Sequence, residues 1–277
     1  MNLTGAYNPE SPLFRDFFEV VICQLIVGVA IVCQPHIITR SLFLKDDKEV
    51  NTYLWVSSFV LLFFFFVVFV GLYARLDFPD LTHNGEVITV DKIMSKYVTT
   101  HFSPTWSVLM VIGIFSAGIA TLEGLIQSIS ATITSDLIKP MMGATIIKSA
   151  ANPKGFMSEF ILHKLVIIFL ATVAILISYS QIIEPDLSVG IFAQAGVYGY
   201  FSAAFVPVLF GTFLPRVASW IPLTSSIIAL ITHFGIYYFR LTPYLAEGTR
   251  NPGVSAAIAI SLSVCIGLIF YLISKKK

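Results

Sequence analysis

Apolar residues gather along the chain in seven long runs, at roughly 16–39, 53–75, 106–137, 159–181, 188–213, 217–239 and 254–274. A helix that crosses a bilayer needs about 20 mostly apolar residues, and each run reaches that length. The pattern predicts an all-α polytopic membrane protein with seven transmembrane helices. The 106–137 run is long enough to continue as a helix beyond the bilayer or to tilt strongly. In the long connection 76–104, Val90, Ile93, Met94, Tyr97 and Val98 recur at helical spacing. That spacing predicts a short interfacial helix, which reads as a surface cap and which Ser103-Pro104 ends. No internal repeat is visible, and Phe63–Phe66 reads as lipid-facing surface.

Composition supports the same class. Of 277 residues 56% are hydrophobic and 12% charged, with a mean hydropathy of +0.85, far from a soluble balance. The whole chain, 1–277, reads as one membrane domain with the lipid bilayer as its surroundings. A net charge of +1 without a basic, aromatic-rich cluster excludes nucleic acid as a partner. Cys23, Cys33 and Cys265 lie in apolar runs without CxxC spacing and read as packing thiols. The polar start MNLTGAYNPESP lacks the basic and apolar regions of a signal peptide. Arg40, Lys45, Lys48, Lys139, Lys148, Lys154, Arg216 and Lys275–Lys277 flank the runs on one side. Arg15, Arg75, Lys92, Lys96, Arg240 and Arg250 flank them on the other. Ten against six predicts the first side as cytoplasmic, with the N-terminus outside and the C-terminus inside the cell (inner) membrane.

Polar residues inside the runs carry the candidate chemistry. On a helix, Thr121, Ser128, Thr132 and Ser135 share one face, flanked by Ala117 and Gly124. Such a small, hydroxyl-bearing stripe marks either close helix packing or a lined cavity. Glu123 points about half a turn away from it, and an acid in mid-membrane is a candidate ion or proton site or half of a buried pair. The first run stops at Gln34-Pro35-His36 and resumes at Ile37-Ile38. Proline lacks an N–H, so the preceding turn keeps free carbonyls. The interruption is either a kink with His36 and Arg40 reaching headgroups, or a broken helix whose Gln34 faces a solute. In the 188–213 run, rich in glycine, Gln194 is the strong hydrogen-bonding side chain of the outer half, and it pairs either with a helix or with a solute. His163 and Lys164 read as snorkelling side chains. The absence of Ser/His/Asp sets, HExxH and phosphate-binding glycine loops predicts that the chain is not an enzyme.

The stretches CQPHIITR with LKDDKEV, and SAGIATLEGLIQSISATITSDL, resemble the sodium:solute symporter family, whose members carry proline, pantothenate, monocarboxylates and sugars. The order and spacing of the two motifs agree, and the similarity covers essentially all of this chain but only the latter half of the family's. The resemblance implies a LeuT-type fold of two inverted repeats around a midplane site. The first five helices here would be the second repeat, with 217–274 as peripheral helices and the N-terminal repeat absent. It further implies a sodium ion held by the carbonyls of Ala117 and Ala120 and the hydroxyl of Thr121, oxygen ligands that suit a hard cation. Related sequences often have two adjacent hydroxyls where this chain has Ala120-Thr121, so one side-chain oxygen is lost. By the same resemblance Gln34 and Gln194 face the solute.

These features predict sodium-coupled symport of a small organic solute by alternating access, with proton as the alternative coupling ion. The chain would act as a partial or split carrier beside a partner that supplies the missing N-terminal helices. The alternative is a sensory or regulatory membrane module that binds solute without moving it.

Overall fold

The structure is a computed structural model that describes residues 7–9, 11, 13–34, 37–38, 43–83, 85–141, 147–148, 157–183, 188–246 and 250–275. In chain order its helices are α1 (Phe18–Cys33), α2 (Asp47–Asp77), α3 (Ile93–His101), α4 (Pro104–Met141), α5 (Glu159–Ile183), α6 (Val189–Phe213), α7 (Trp220–Phe239), the short α8 (Pro243–Ala246) and α9 (Pro252–Lys275). Two-residue strands pair as β1 (Thr82–His83) with β2 (Glu86–Val87), and β3 (Ile147–Lys148) with β4 (Met157–Ser158). Among the described residues six helices, α2, α4, α5, α6, α7 and α9, are long and apolar enough to cross a bilayer. The first apolar run gives a shorter element than the pattern predicts. α1 begins as a π-turn, continues as an α-helix over Gln24–Ala30 and tightens to a 3-10 turn at Ile31–Cys33. It stops there because residue 35 is proline, and a residue before proline is pushed out of the helical region.

The chain divides into two compact units, Met1–Val56 with Leu187–Lys277, and Ser57–Asp186. In the first, α6, α7 and α9 pack on one another and α1 lies against α6 and α9. Val27 and Ala30 of α1 meet Phe201 of α6 and Ala256 and Ile260 of α9. Further along, Val206 and Phe210 pack with Ile221. Between helices in lipid, tight packing and hydrogen bonds do the work that water expulsion does elsewhere. Small residues accordingly sit at the crossings: a Cβ on Gly267 would lie 2.8 Å from Ser225 Oγ and 3.0 Å from Phe210 Cζ.

A polar network binds the N-terminal end of α1 to the segment between α7 and α9. Glu19 is fully buried. One of its oxygens accepts from Asn251 Nδ2 at 2.8 Å and the other from the Arg15 backbone N–H at 2.8 Å. The Arg15 guanidinium stands 3.6 Å from the same carboxylate and donates to the Tyr244 carbonyl at 2.8 Å. Tyr244 donates its hydroxyl to Asp16 Oδ2 at 2.5 Å. That bond holds the Asp16 carboxyl below its ordinary 3.8 and pushes the Tyr244 phenol up to about 12. Asn251 completes the network by donating to the Leu13 carbonyl and accepting from the Gly253 N–H, both at 2.9 Å.

In the second unit Gly85, at φ +81°, turns the β1–β2 hairpin. Phe78 and Ile88 are buried beneath it, and His101 of α3 pairs with Asp77 at the end of α2. α3 extends the 3-10 turn Val90–Lys92, which is the short helix expected in this connection. Ser103 is extended and Pro104 opens α4, where a missing N–H costs nothing. α4 meets α5 through Lys139 Nζ, which donates to Glu159 Oε1 at 2.5 Å, and through Ser130 Oγ, 3.4 Å from His163 Nε2. Lys164 Nζ sits 4.3 Å over the Phe160 ring. The most apolar stretches of α2 and α4 hold no buried residue, whereas a third of those in α7 and α9 is buried. Phe63–Phe66 are exposed, as expected of a lipid-facing surface.

Candidate functional site

The break after α1 is built by one residue. Gln34 is extended, with φ −68° and ψ 131°, so the helix cannot continue through it. Its carbonyl accepts from the N–H groups of Ile37 at 2.9 Å and Ile38 at 3.1 Å, and those two residues are helical again. Gln34 therefore closes one helical run and caps the next. Its side chain is buried, and its amide makes no hydrogen bond among the described residues. Pro35, His36 and Arg40 lie outside the described residues.

α6 begins with Ser188, whose hydroxyl accepts from the Ile191 N–H at 3.4 Å. Gln194 lies one turn in, exposed and without a hydrogen bond among the described residues. Gln34 and Gln194 share a unit, but no hydrogen bond joins them.

Behind Gln194, α6 is held by its neighbours in a way the sequence reading did not foresee. Pro207 has no N–H to give the Ala203 carbonyl one turn back. Ser226 of α7 supplies the missing donor, at 2.6 Å. Two turns along, His233 Nε2 of α7 meets the Ala195 carbonyl at 2.9 Å, and its Nδ1 lies 3.2 Å from Ser255 Oγ of α9. Both Ser255 and His233 are fully buried. Gly199 permits this approach: a Cβ there would lie 2.6 Å from Phe234 Cζ and 3.1 Å from His233 Cδ2. A lone ionisable residue in the run ALITHFGIYY was the available signal for His233.

Ala117, Ala120 and Thr121 belong to the other unit, on α4, and all three are exposed. Thr121 Oγ1 donates to the Ala117 carbonyl at 2.8 Å. Thr132 donates likewise to the Ser128 carbonyl at 3.1 Å, and Ser135 to the Ala131 carbonyl at 2.7 Å. Glu123 accepts from Gln127 Nε2 at 3.1 Å, one turn further along its own helix. Among the described residues, no three His, Cys, Asp or Glu side chains group as a metal centre would require. The donors of the Ala117–Thr121 turn are uncharged oxygens, a set that fits a weakly held hard cation such as sodium and not a transition metal. The Thr121 oxygen keeps lone pairs beside a carbonyl that it already touches. Further ligands would have to come from outside this turn.

No curated protein and no solved structure matches the chain. The model of the sodium:solute symporter family matches residues 1–228, which takes in the broken α1, the hydroxyl-striped α4 and the braced α6. With most of its length inside that match, the chain belongs to the sodium:solute symporter family.

Proposed function

We propose that this chain supplies the second-repeat half of a sodium-coupled symporter for a small organic solute, and that a partner contributes the first-repeat helices. The family's activity is sodium-coupled solute transport in general. The observation that carries the narrower reading is Gln34, extended and buried at a helix break. A broken helix of this kind, with a polar side chain at its gap, suits a solute site in a secondary transporter. Gln194 is a second amide on the same unit. In this reading Ala117, Ala120 and Thr121 hold the sodium ion, which lends the energy of its gradient to solute movement. The N-terminus lies outside the cell membrane and the C-terminus inside, as the Lys/Arg distribution favours.

The test is sodium-driven uptake into vesicles that hold the chain alone, and into vesicles that hold it with whatever helical membrane protein co-purifies with it. Uptake only in the second case, reduced by Gln34→Ala and made less sodium-dependent by Thr121→Ala, is the expected result. Robust sodium-dependent uptake by the chain alone would overturn the half-carrier reading. Solute binding without uptake in either case would favour a sensory module.

A further inference from the structure

The polar chain Ser255–His233–Ala195 lies outside the residues assigned to solute and ion. The Ala195 carbonyl can only accept, so the hydrogen of that bond sits on His233 Nε2. In the neutral imidazole Nδ1 is then an acceptor, and the partner it meets is the Ser255 hydroxyl at 3.2 Å. Ser255 also reaches the Pro252 carbonyl at 3.0 Å, so its single hydrogen is shared between two acceptors. The tautomer follows from this network of partners. One side chain of α7 is thereby oriented by α9 and fastened to the backbone of α6.

That backbone needs fastening. Gly196 and Gly199 flank the turn, and glycine holds a helix less firmly than alanine does. Gln194 immediately precedes the fastened residue, and its side chain is exposed, with no hydrogen bond among the described residues. Where the Ala195 peptide is held, the starting point of the Gln194 side chain is held too. Ser226 does the same to the Ala203 carbonyl, so α7 braces α6 on both sides of Gly199.

We propose that His233 is a positioning residue of the transport site, fixing through its Nε2–H bond to the Ala195 carbonyl the turn of α6 that presents Gln194. The proposal rests on the reading of Gln194 as solute-facing, but its test reads position and not transport. Cys23, Cys33 and Cys265 are replaced by alanine in the full chain, and a single cysteine is placed by Gln194→Cys or, at the far exposed end of α6, by Phe213→Cys. The rate of labelling by N-ethylmaleimide is then compared with and without His233→Leu. Loss of one hydrogen bond is expected to change the rate at position 194 roughly two- to tenfold, with position 213 unaffected. His233→Gln, whose amide N–H reaches about as far as Nε2, is expected to restore the parent rate. Ser255→Ala, which leaves the His233 Nε2–H donor in place but removes its orienting partner, gives a smaller change in the same direction and serves if His233→Leu does not fold. An unchanged rate at 194, equal changes at 194 and 213, or failure of the glutamine rescue overturns the proposal. Normal uptake by Gln194→Ala would instead refute the solute-facing role of Gln194 and leave the labelling result standing.

Discussion

Ser226 donates its hydroxyl to the Ala203 carbonyl at 2.6 Å, the carbonyl that Pro207 cannot serve from within α6. A helix interrupted by proline in a membrane must recover the lost bond from a neighbour, and here one hydroxyl on α7 does so.

Ser226→Ala is expected to destabilise the protein by about 1 kcal/mol, the net worth of one such bond. Pro207→Ala restores the N–H, so Ser226→Ala should cost almost nothing in that background. A double-mutant cycle of unfolding free energies checks the coupling. Equal costs of Ser226→Ala in both backgrounds would refute it.

The close approach at Gly199 gives a second prediction. Gly199→Ala places a methyl 2.6 Å from Phe234 Cζ, and overpacking of this sort costs about 1–3 kcal/mol. Phe234→Leu removes the ring and should recover much of that loss. Thermal unfolding of the single and double variants measures it.

The Asp16–Tyr244 bond makes the N-terminal network sensitive to extremes of pH. Asp16 titrates below 3.8 when folded, so its contribution is intact above that value and is lost as pH falls through the lowered one. Tyr244 rises from 10.0 to about 12, so its contribution is intact below 10.0 and is lost as pH rises towards 12. Stability measured against pH should therefore decline in both windows, and Tyr244→Phe should abolish the alkaline decline and shrink the acid one, where backbone N–H groups and Arg15 still favour the Asp16 carboxylate. An unaltered profile in the variant would remove the bond from the account.

On the ion side, Ala120→Ser adds a hydroxyl beside Thr121. If the Ala117–Thr121 turn holds sodium, the sodium concentration for half-maximal uptake by the complete carrier should fall about fivefold, as one added oxygen ligand worth roughly 1 kcal/mol gives. Thr121→Ala should raise it. No shift in either variant would move the sodium site elsewhere.

What the sequence revealed, it revealed through local rules. Proline 35 announced the end of α1 because the missing N–H and the crowding of the preceding residue act on neighbours alone. Ser103-Pro104 marked the start of α4 for the same reason. The break before Pro35 splits the 16–39 run, so that α1 ends at Cys33 and helical backbone returns at Ile37 and Ile38. Contacts between distant positions left no such trace. Arg15 and Tyr244 stand 229 residues apart, and nothing near either one predicts the other. His233 carried a local clue, its charge-capable ring in an apolar run, but its partners on α6 and α9 emerged only with the packing. The proposed ion residues come from motif resemblance, and Gln34 and Gln194 stand out as polar side chains in apolar runs as well; the structure adds their surroundings: a buried Gln34, an exposed Gln194, and a Thr121 turned back on its own helix.

That last habit has a consequence for whatever lies along α4. Thr121, Thr132 and Ser135 have each spent their only hydroxyl hydrogen on a carbonyl of their own helix. What these three hydroxyls offer outward is lone pairs, with the Ser128 hydroxyl between them left to donate. A helix that brings N–H or O–H groups, or a cation, finds acceptors on these three. The three hydroxyls thus favour neighbours that carry the hydrogens, without a single charged side chain among them.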